Sequence, residues 1–237
     1  MKLAELPVYV IHGPGLVERR ARLEPQLARH GLDAEWITWP DPPELTPELV
    51  RRWHRPSRWR WRWRARVSGG APYRTLPPPE IAAYIKHVLA LQRIAGGDAD
   101  AAIVFEDDVI LPDDFAAQFD ECFASVPDDG ALVFFGSCAG LHIRETSPGV
   151  RFYRKTHPAT RCADSFVVRR DAARTLLRTF VPFVLPYDWE LSYQLWRHDL
   201  VVYWVEPPLV RQGSEAGLVP SSLALGRGDR KLDDGLV

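Results

Sequence analysis

Ala101-Ala102-Ile103-Val104-Phe105-Glu106-Asp107-Asp108 takes an apolar run of strand length straight into three consecutive carboxylates. Such a run reads as a buried strand, and in open α/β sheets ligands collect at the carboxyl ends of strands. Two like charges about 4 Å apart repel by roughly 4 kcal/mol at an effective dielectric near 20. A divalent cation at the strand end relieves that cost. If strand geometry continues, Glu106 and Asp108 face one side together and Asp107 faces the other. Their hard oxygens suit Mg2+ or Mn2+, and an ion of that kind holds a diphosphate. The competing reading is a solvated loop whose acids cap the next helix. Asp113 and Asp114 read as solvated residues of that helix's first turn, where negative charge suits the dipole.

The flanking sequence supplies the strand's neighbours. Val8-Tyr9-Val10-Ile11 reads as another buried strand, ending in the turn His12-Gly13-Pro14-Gly15. A helical pattern follows over 17–30, with Leu23 and Leu27 on one face and Gly31 as the stop, and then a short strand over 35–39. This strand-turn-helix-strand opening begins a wound α/β sheet. Pro77-Pro78-Pro79 starts a helix over 80–95 that stops at Gly96-Gly97. Beyond the acidic run, helices are expected over 112–123, 171–180 and 189–197, the last opened by Pro186-Tyr187-Asp188. Strands are expected over 132–135, 151–153, 165–168 and 201–205. The class is α/β, with a single mixed central sheet in one domain over 1–215 and a loop or disordered tail over 216–237.

Residues 40–79 break the rhythm and read as an insertion rich in Pro, Arg and Trp. Within it, Arg58-Trp59-Arg60-Trp61-Arg62-Trp63-Arg64 alternates strictly. As an extended strand it sets Trp59, Trp61 and Trp63 on one face and the arginines on the other. That arrangement suits an edge strand with its indoles in the core. It also suits an acceptor surface, with indoles stacked on sugars and arginines on phosphorylated or acidic glycans. Interfacial membrane contact is a third use of the same residues. Single-stranded nucleic acid uses similar chemistry, but the chain carries no other nucleic-acid motif, so nucleic acid is not expected as a partner.

The whole-chain charge is −1 over 237 residues, so any bias toward anionic partners is local. Cys122, Cys138 and Cys162 are odd in number and lack CxxC spacing. This argues against a disulfide framework and a structural zinc, and for a reduced, cytoplasmic setting. No segment approaches the roughly 20 apolar residues that span a bilayer. Membrane contact is then peripheral, at the inner face.

Several blocks carry a family pattern. They are Val8-Tyr9-Val10-Ile11 with Glu18-Arg19-Arg20, then Glu80-Ile81-Ala82-Ala83-Tyr84-Ile85-Lys86-His87, then Ala102-Ile103-Val104-Phe105-Glu106-Asp107-Asp108-Val109. The stretch 131–136, Phe166-Val167-Val168-Arg169-Arg170-Asp171-Ala172-Ala173 and Pro186-Tyr187-Asp188-Trp189 complete them. In order and spacing the chain resembles glycosyltransferase family 25, which holds bacterial lipooligosaccharide galactosyltransferases and procollagen galactosyltransferases. Four positions depart from the family pattern: Ala82-Ala83 stands for its Gly-Cys, Lys86 for its Ser and His12 for its Asn.

The resemblance implies a GT-A type, Rossmann-like nucleotide-sugar fold, a UDP-sugar donor, Mn2+ or Mg2+ at the acidic run, and an inverting transfer. Asp108 is then the metal ligand, with Glu106 assisting the metal or contacting the nucleotide, and Asp107 supporting either or capping a helix. Asp188 heads a helix in a matching block and is the expected base, with Glu190 as fallback. His87 is expected on phosphate or metal, Arg19 or Arg20 on the diphosphate or uracil region, and His12 in a turn that lets the nucleotide approach. Gln212 is a late donor contact. The acceptor is a glycan, a lipid-linked glycan or a protein, as in lipopolysaccharide biosynthesis. The alternatives are a non-catalytic glycan- or membrane-binding module and a metal-dependent phosphohydrolase.

Overall fold

A computed structural model describes residues 1–70, 72–137, 141–214 and 217. The chain opens with β1 (Val8–Ile11), α1 (Val17–Arg29) and β2 (Ala34–Ile37), followed by α2 (Pro47–Trp53) and α3 (Arg58–Val67). Then come α4 (Pro78–Gly96), β3 (Ala101–Glu106), β4 (Val109–Ile110) and α5 (Phe115–Phe123). The second half holds β5 (Leu132–Phe134), β6 (Phe152–Lys155), β7 (Ser165–Arg169), α6 (Arg170–Leu177), α7 (Tyr187–Arg197), β8 (Val202–Val205) and β9 (Arg211–Gln212). The tail expected over 216–237 lies outside the described residues apart from Gly217.

Seven strands form one mixed sheet in the order β2-β1-β3-β7-β5-β8-β6. β2, β1 and β3 run parallel, as do β5 and β8, while β7 runs antiparallel between β3 and β5. The carboxyl ends of β1, β3 and β5 therefore share one edge with the start of β7. The chain also leaves β1 in opposite directions toward β2 and β3. That reversal opens a crevice at the carboxyl edge, where ligands bind in sheets of this kind.

Alternation along the strands divides the core in two. Tyr9, Ile11, Ala102, Val104, Phe166 and Val168 face the layer containing α4, α6 and α7. Val8, Val10, Ile103, Phe105 and Val167 face α1 and α5. Both faces of the sheet are thus covered, which is why these strands read as unbroken apolar runs.

The Arg/Trp stretch is a helix, not the expected strand. Ser57 Oγ accepts the Arg60 N–H at 3.3 Å as its N-cap. Trp61, Arg64 and Ala65, at helical spacing, turn inward. A rotation of about 100° per residue scatters positions that a strand would align. The three indoles consequently share no face: Trp61 is 1% exposed, Trp59 75% and Trp63 51%. Trp53 and Trp61 join the core on the α4 side of the sheet, so the segment expected as an excursion is packed into it.

Cys162 is disulfide-bonded, against the expectation of reduced cysteines. An odd total forbids complete pairing but not a single bridge. Cys122 is free and buried, and Cys138 lies outside the described residues.

Candidate active site

Parity in β3 sends its terminal acids to different layers. Glu106 follows Val104 toward α4, and Asp107 falls on the α1 side. Asp107 is buried and fully engaged. Its Oδ1 accepts from Arg19 Nη1 at 2.7 Å, and its Oδ2 meets His12 Nδ1 at 2.8 Å and the Gly13 N–H at 3.3 Å. Burial alone would raise this carboxyl, but hydrogen bonds from His12 and Arg19 hold it below its ordinary value. Asp107 therefore fastens the first βα turn and caps no helix.

Glu106 Oε1 lies 3.3 Å from Nε2 of His87, whose ring stacks on Tyr187 at a centroid separation of 3.8 Å. Burial, reinforced by Asp108 and Asp107, pushes Glu106 up to about 8. Burial with the nearby Lys86 charge takes His87 down to about 3, so its imidazole is neutral.

Asp108 stands where the chain turns from β3 into β4, so it does not continue the strand alternation beside Glu106. Val109 pairs with Gln212, and the Gly213 N–H donates to the Asp108 carbonyl at 2.7 Å. This pairing folds 211–214 across the acidic run. Asp108 Oδ2 is 3.9 Å from Arg19 Nη1, while Oδ1 is buried without a hydrogen-bond partner. Burial raises the Asp108 carboxyl and Asp107 adds to the rise, against hydrogen bonds from Ser214 and the charge of Arg19.

A further acid joins from β7. Asp164 is fully buried, and its carbonyl accepts the Glu106 N–H at 2.8 Å. Burial drives its carboxyl well above the usual range, with Glu106 and Asp108 adding to the rise, while its Oδ1 lacks a partner. Gly136, after β5, must be glycine here: a Cβ would stand 2.0 Å from Asp164 Oδ2.

Beside these acids lies a cavity of about 320 Å³, between the first βα turn, the Pro42-Pro43 turn and α4. Its polar wall includes His12, Arg19, Asp41, Lys86 and Glu106. Lys86 is buried, with Nζ 3.6 Å from Asp41 Oδ1. Burial lowers its pKa while Asp41 opposes the drop.

Over residues 7–190 the chain matches the model of glycosyltransferase family 25, described as an LPS biosynthesis protein. The chain belongs to glycosyltransferase family 25. No curated protein matches it significantly.

In this glycosyltransferase the expected site residues divide into those at the crevice and those elsewhere. His12, Arg19, Glu106 and Asp107 line the cavity, and His87 reaches it through Glu106. Arg20 faces away: its guanidinium lies 4.7 Å over the Trp36 ring and it pairs with Glu24. Asp188 occupies the first turn of α7, where the nearby backbone N–H groups of Trp189 and Asp188 favour its charged form. Burial nevertheless lifts it to about 6, with Glu106 and Glu80 among the smaller causes. Glu190 is wholly buried and serves another purpose. It pairs with Arg64 and accepts from the Val184 and Leu185 N–H groups and from Gln194. It ties α3 to α7. Gln212 sits in β9, where its N–H bonds Ser137 Oγ at 3.3 Å. Trp61 is buried in the core, and Trp59 and Trp63 stand outside the cavity wall.

Two residues were missed. Asp164 has no motif around it in Arg161-Cys162-Ala163-Asp164-Ser165. Lys86 carried a signal, because a lysine among Ile81, Ala82, Ile85 and Val88 on one helix needs a buried partner.

Proposed function

We propose that this glycosyltransferase binds a UDP-sugar in the cavity over His12-Gly13 and transfers its hexose, galactose favoured, to a hydroxyl of a glycan, lipid-linked glycan or protein acceptor. A divalent cation, Mn2+ or Mg2+, is its cofactor, and the fold type is GT-A. The observation that carries this reading is the Asp108 Oδ1 atom, buried and without a hydrogen-bond partner, beside Glu106 and Asp164 carboxyls that are also raised.

The residues fit a hard cation as a shared site, not as a protein cage. Among the described residues no group of three or more His, Cys, Asp or Glu side chains is arranged to hold a metal ion. Mg2+-type sites in nucleotide enzymes commonly use one or two carboxylates and complete the shell with phosphates and water. Asp108, assisted by Glu106, supplies that minimum. When bound, the cation neutralises charge on the departing diphosphate.

The chain's own groups do the rest. The Asp107 clamp keeps the βα turn in place, so backbone at Gly13 and Gly15 forms a floor for the nucleotide. Lys86 donates from the cavity wall to a diphosphate oxygen. Asp188 accepts the proton of the attacking hydroxyl, and with its pKa near 6 it is ionised at neutral pH and still basic enough for the task. One base and no enzyme nucleophile make a single displacement, which inverts the anomeric carbon.

A thermal-shift panel of UDP, GDP and CMP sugars with and without Mn2+, followed by hydrolysis and transfer assays, tests the proposal. A rise in Tm for UDP-sugars that needs Mn2+, lost in Asp108→Ala, supports it. Silence across the panel, or phosphate release from simple esters without any nucleotide sugar, overturns it.

A further inference from the structure

The outer face of α3 plays no part in the crevice, yet it is the most unusual surface of the molecule. Its inner stripe is firmly held: Arg64 pairs with Glu190, its guanidinium lies 4.9 Å over the Tyr193 ring, and Trp61 packs edge-on against Tyr73. Facing outward, Trp59 and Trp63 are four residues apart and so lie on one side of the helix. Around them Arg58, Arg60, Arg62 and Arg66 are exposed, as are Arg51, Arg52 and Arg55 just before. Residues 49–79 hold nine arginines, of which Arg51, Arg64 and Arg74 pair with Glu48, Glu190 and Glu80; Arg52, Arg55, Arg58, Arg60, Arg62 and Arg66 make up the exposed basic field, in a chain whose net charge is −1. On the adjoining α7, Trp196 is 43% exposed and its ring lies 5.9 Å from that of Tyr193.

We infer that this face docks on an anionic phospholipid bilayer. Indole rings settle at the depth of lipid headgroups, and guanidinium groups pair with their phosphates. Each basic residue near such a surface contributes attraction that ionic strength screens. A second copy of the chain fits poorly, because a two-fold contact would set this arginine field against itself. Single-stranded nucleic acid binds in basic grooves with aromatic platforms inside, whereas these indoles stand on the outside of a helix. Among the described residues no helix is long and apolar enough to cross a membrane, so the contact is peripheral. Because α3 is fixed to α7, whose first turn carries Asp188, docking holds the catalytic edge close to the lipid surface.

Flotation of the full chain with phosphatidylcholine vesicles, with and without phosphatidylglycerol, tests the inference without any donor present. The chain floats with anionic vesicles only, and less at high salt. Arg60→Ala/Arg62→Ala lowers partitioning roughly thirtyfold, about 2 kcal/mol for two arginines, and Trp59→Ser/Trp63→Ser lowers partitioning to the anionic vesicles as well. These side chains are exposed, so melting temperatures stay level, and the control Arg154→Ala/Arg178→Ala, also exposed, floats as the parent does. Equal flotation with neutral vesicles, no flotation, an equal loss in the control, or retention on single-stranded RNA with no vesicle binding overturns the inference.

Discussion

Arg19 Nη1 donates to Asp107 Oδ1 at 2.7 Å, joining the first turn of α1 to the end of β3 across 88 residues of sequence. Removing one partner of a buried, hydrogen-bonded pair leaves an uncompensated charge and costs about 3–5 kcal/mol. Asp107→Ala should therefore lower Tm by roughly 10 °C in a domain of this size. The folded carboxyl is held below its ordinary value, so its stabilisation is present above the unfolded pKa and fades as pH falls through the folded one. The deficit of the variant should be full at neutral pH and vanish in acid, which melts across pH will read.

Asp108 differs from its neighbour because its Oδ1 meets nothing. Asp108→Asn should leave Tm of the metal-free protein level or slightly raised, since it removes a like charge beside Asp107. With Mn2+ the parent should melt higher and the variant should not respond. Transfer should drop on the order of a hundredfold or more. Unchanged Mn2+ response in the variant would rule out this assignment.

Glu106, lifted to about 8 by burial and its acidic neighbours, would link binding of the proposed cation to pH. A raised carboxyl favours the folded state below its unfolded pKa and loses that advantage as pH climbs through the folded value. Metal-free protein should thus lose stability progressively from about pH 4.5, where the unfolded carboxyl ionises, up to about pH 8, and level off above that. Cation binding displaces the proton, so Mn2+ affinity should weaken below pH 8 by up to about tenfold per unit. Calorimetry in buffers of differing ionisation heat measures the released proton directly.

What was legible in the sequence follows from burial. β1, β3 and β7 announce themselves because both faces of each are covered, leaving uninterrupted apolar runs. The acidic run was equally plain, yet the separate fates of its members were not. Asp107 belongs to Arg19 and His12 only once α1 has packed, and Asp108 left the strand alternation because β9 draws the chain into a turn. Glu190 looked like a spare base because its neutralising partner, Arg64, lies 126 positions earlier. The same contact explains the failure at α3. A period-two pattern argues for a strand, but the Ser57 cap and the inward pull on Trp61, Arg64 and Ala65 decide for a helix. The antiparallel insertion of β7, which delivers Asp164, is a long-range choice that no local pattern records.

Asp188 and Glu190 are separated by their environments. Asp188, raised to about 6, is the group whose ionisation should govern the acid limb of kcat/KM. Activity should fall below an apparent pKa near 6, and Asp188→Asn should lose about 100- to 10,000-fold in kcat with a near-parental Tm. Glu190→Gln should show the reverse signature, a clear drop in Tm with chemistry retained in the folded fraction. A variant at Asp188 that keeps both its rate and its pH profile would move the base elsewhere.

Lys86 offers the sharpest separation of binding from chemistry. Its ammonium is buried in the cavity wall with Asp41 as partner, and burial already weakens its hold on a proton. A diphosphate in the cavity gives that charge a second partner. Hydrogen bonds to charged groups contribute about 1.5–3 kcal/mol, so Lys86→Met should raise the donor KM roughly 10- to 100-fold. An interaction made equally with bound substrate and transition state leaves kcat nearly unchanged. Asp41→Asn removes the same ion pair but keeps the ammonium, so it should affect Tm more than KM. If both variants raise KM alike, the pair acts as a wall; if only Lys86→Met does, the lysine holds the donor.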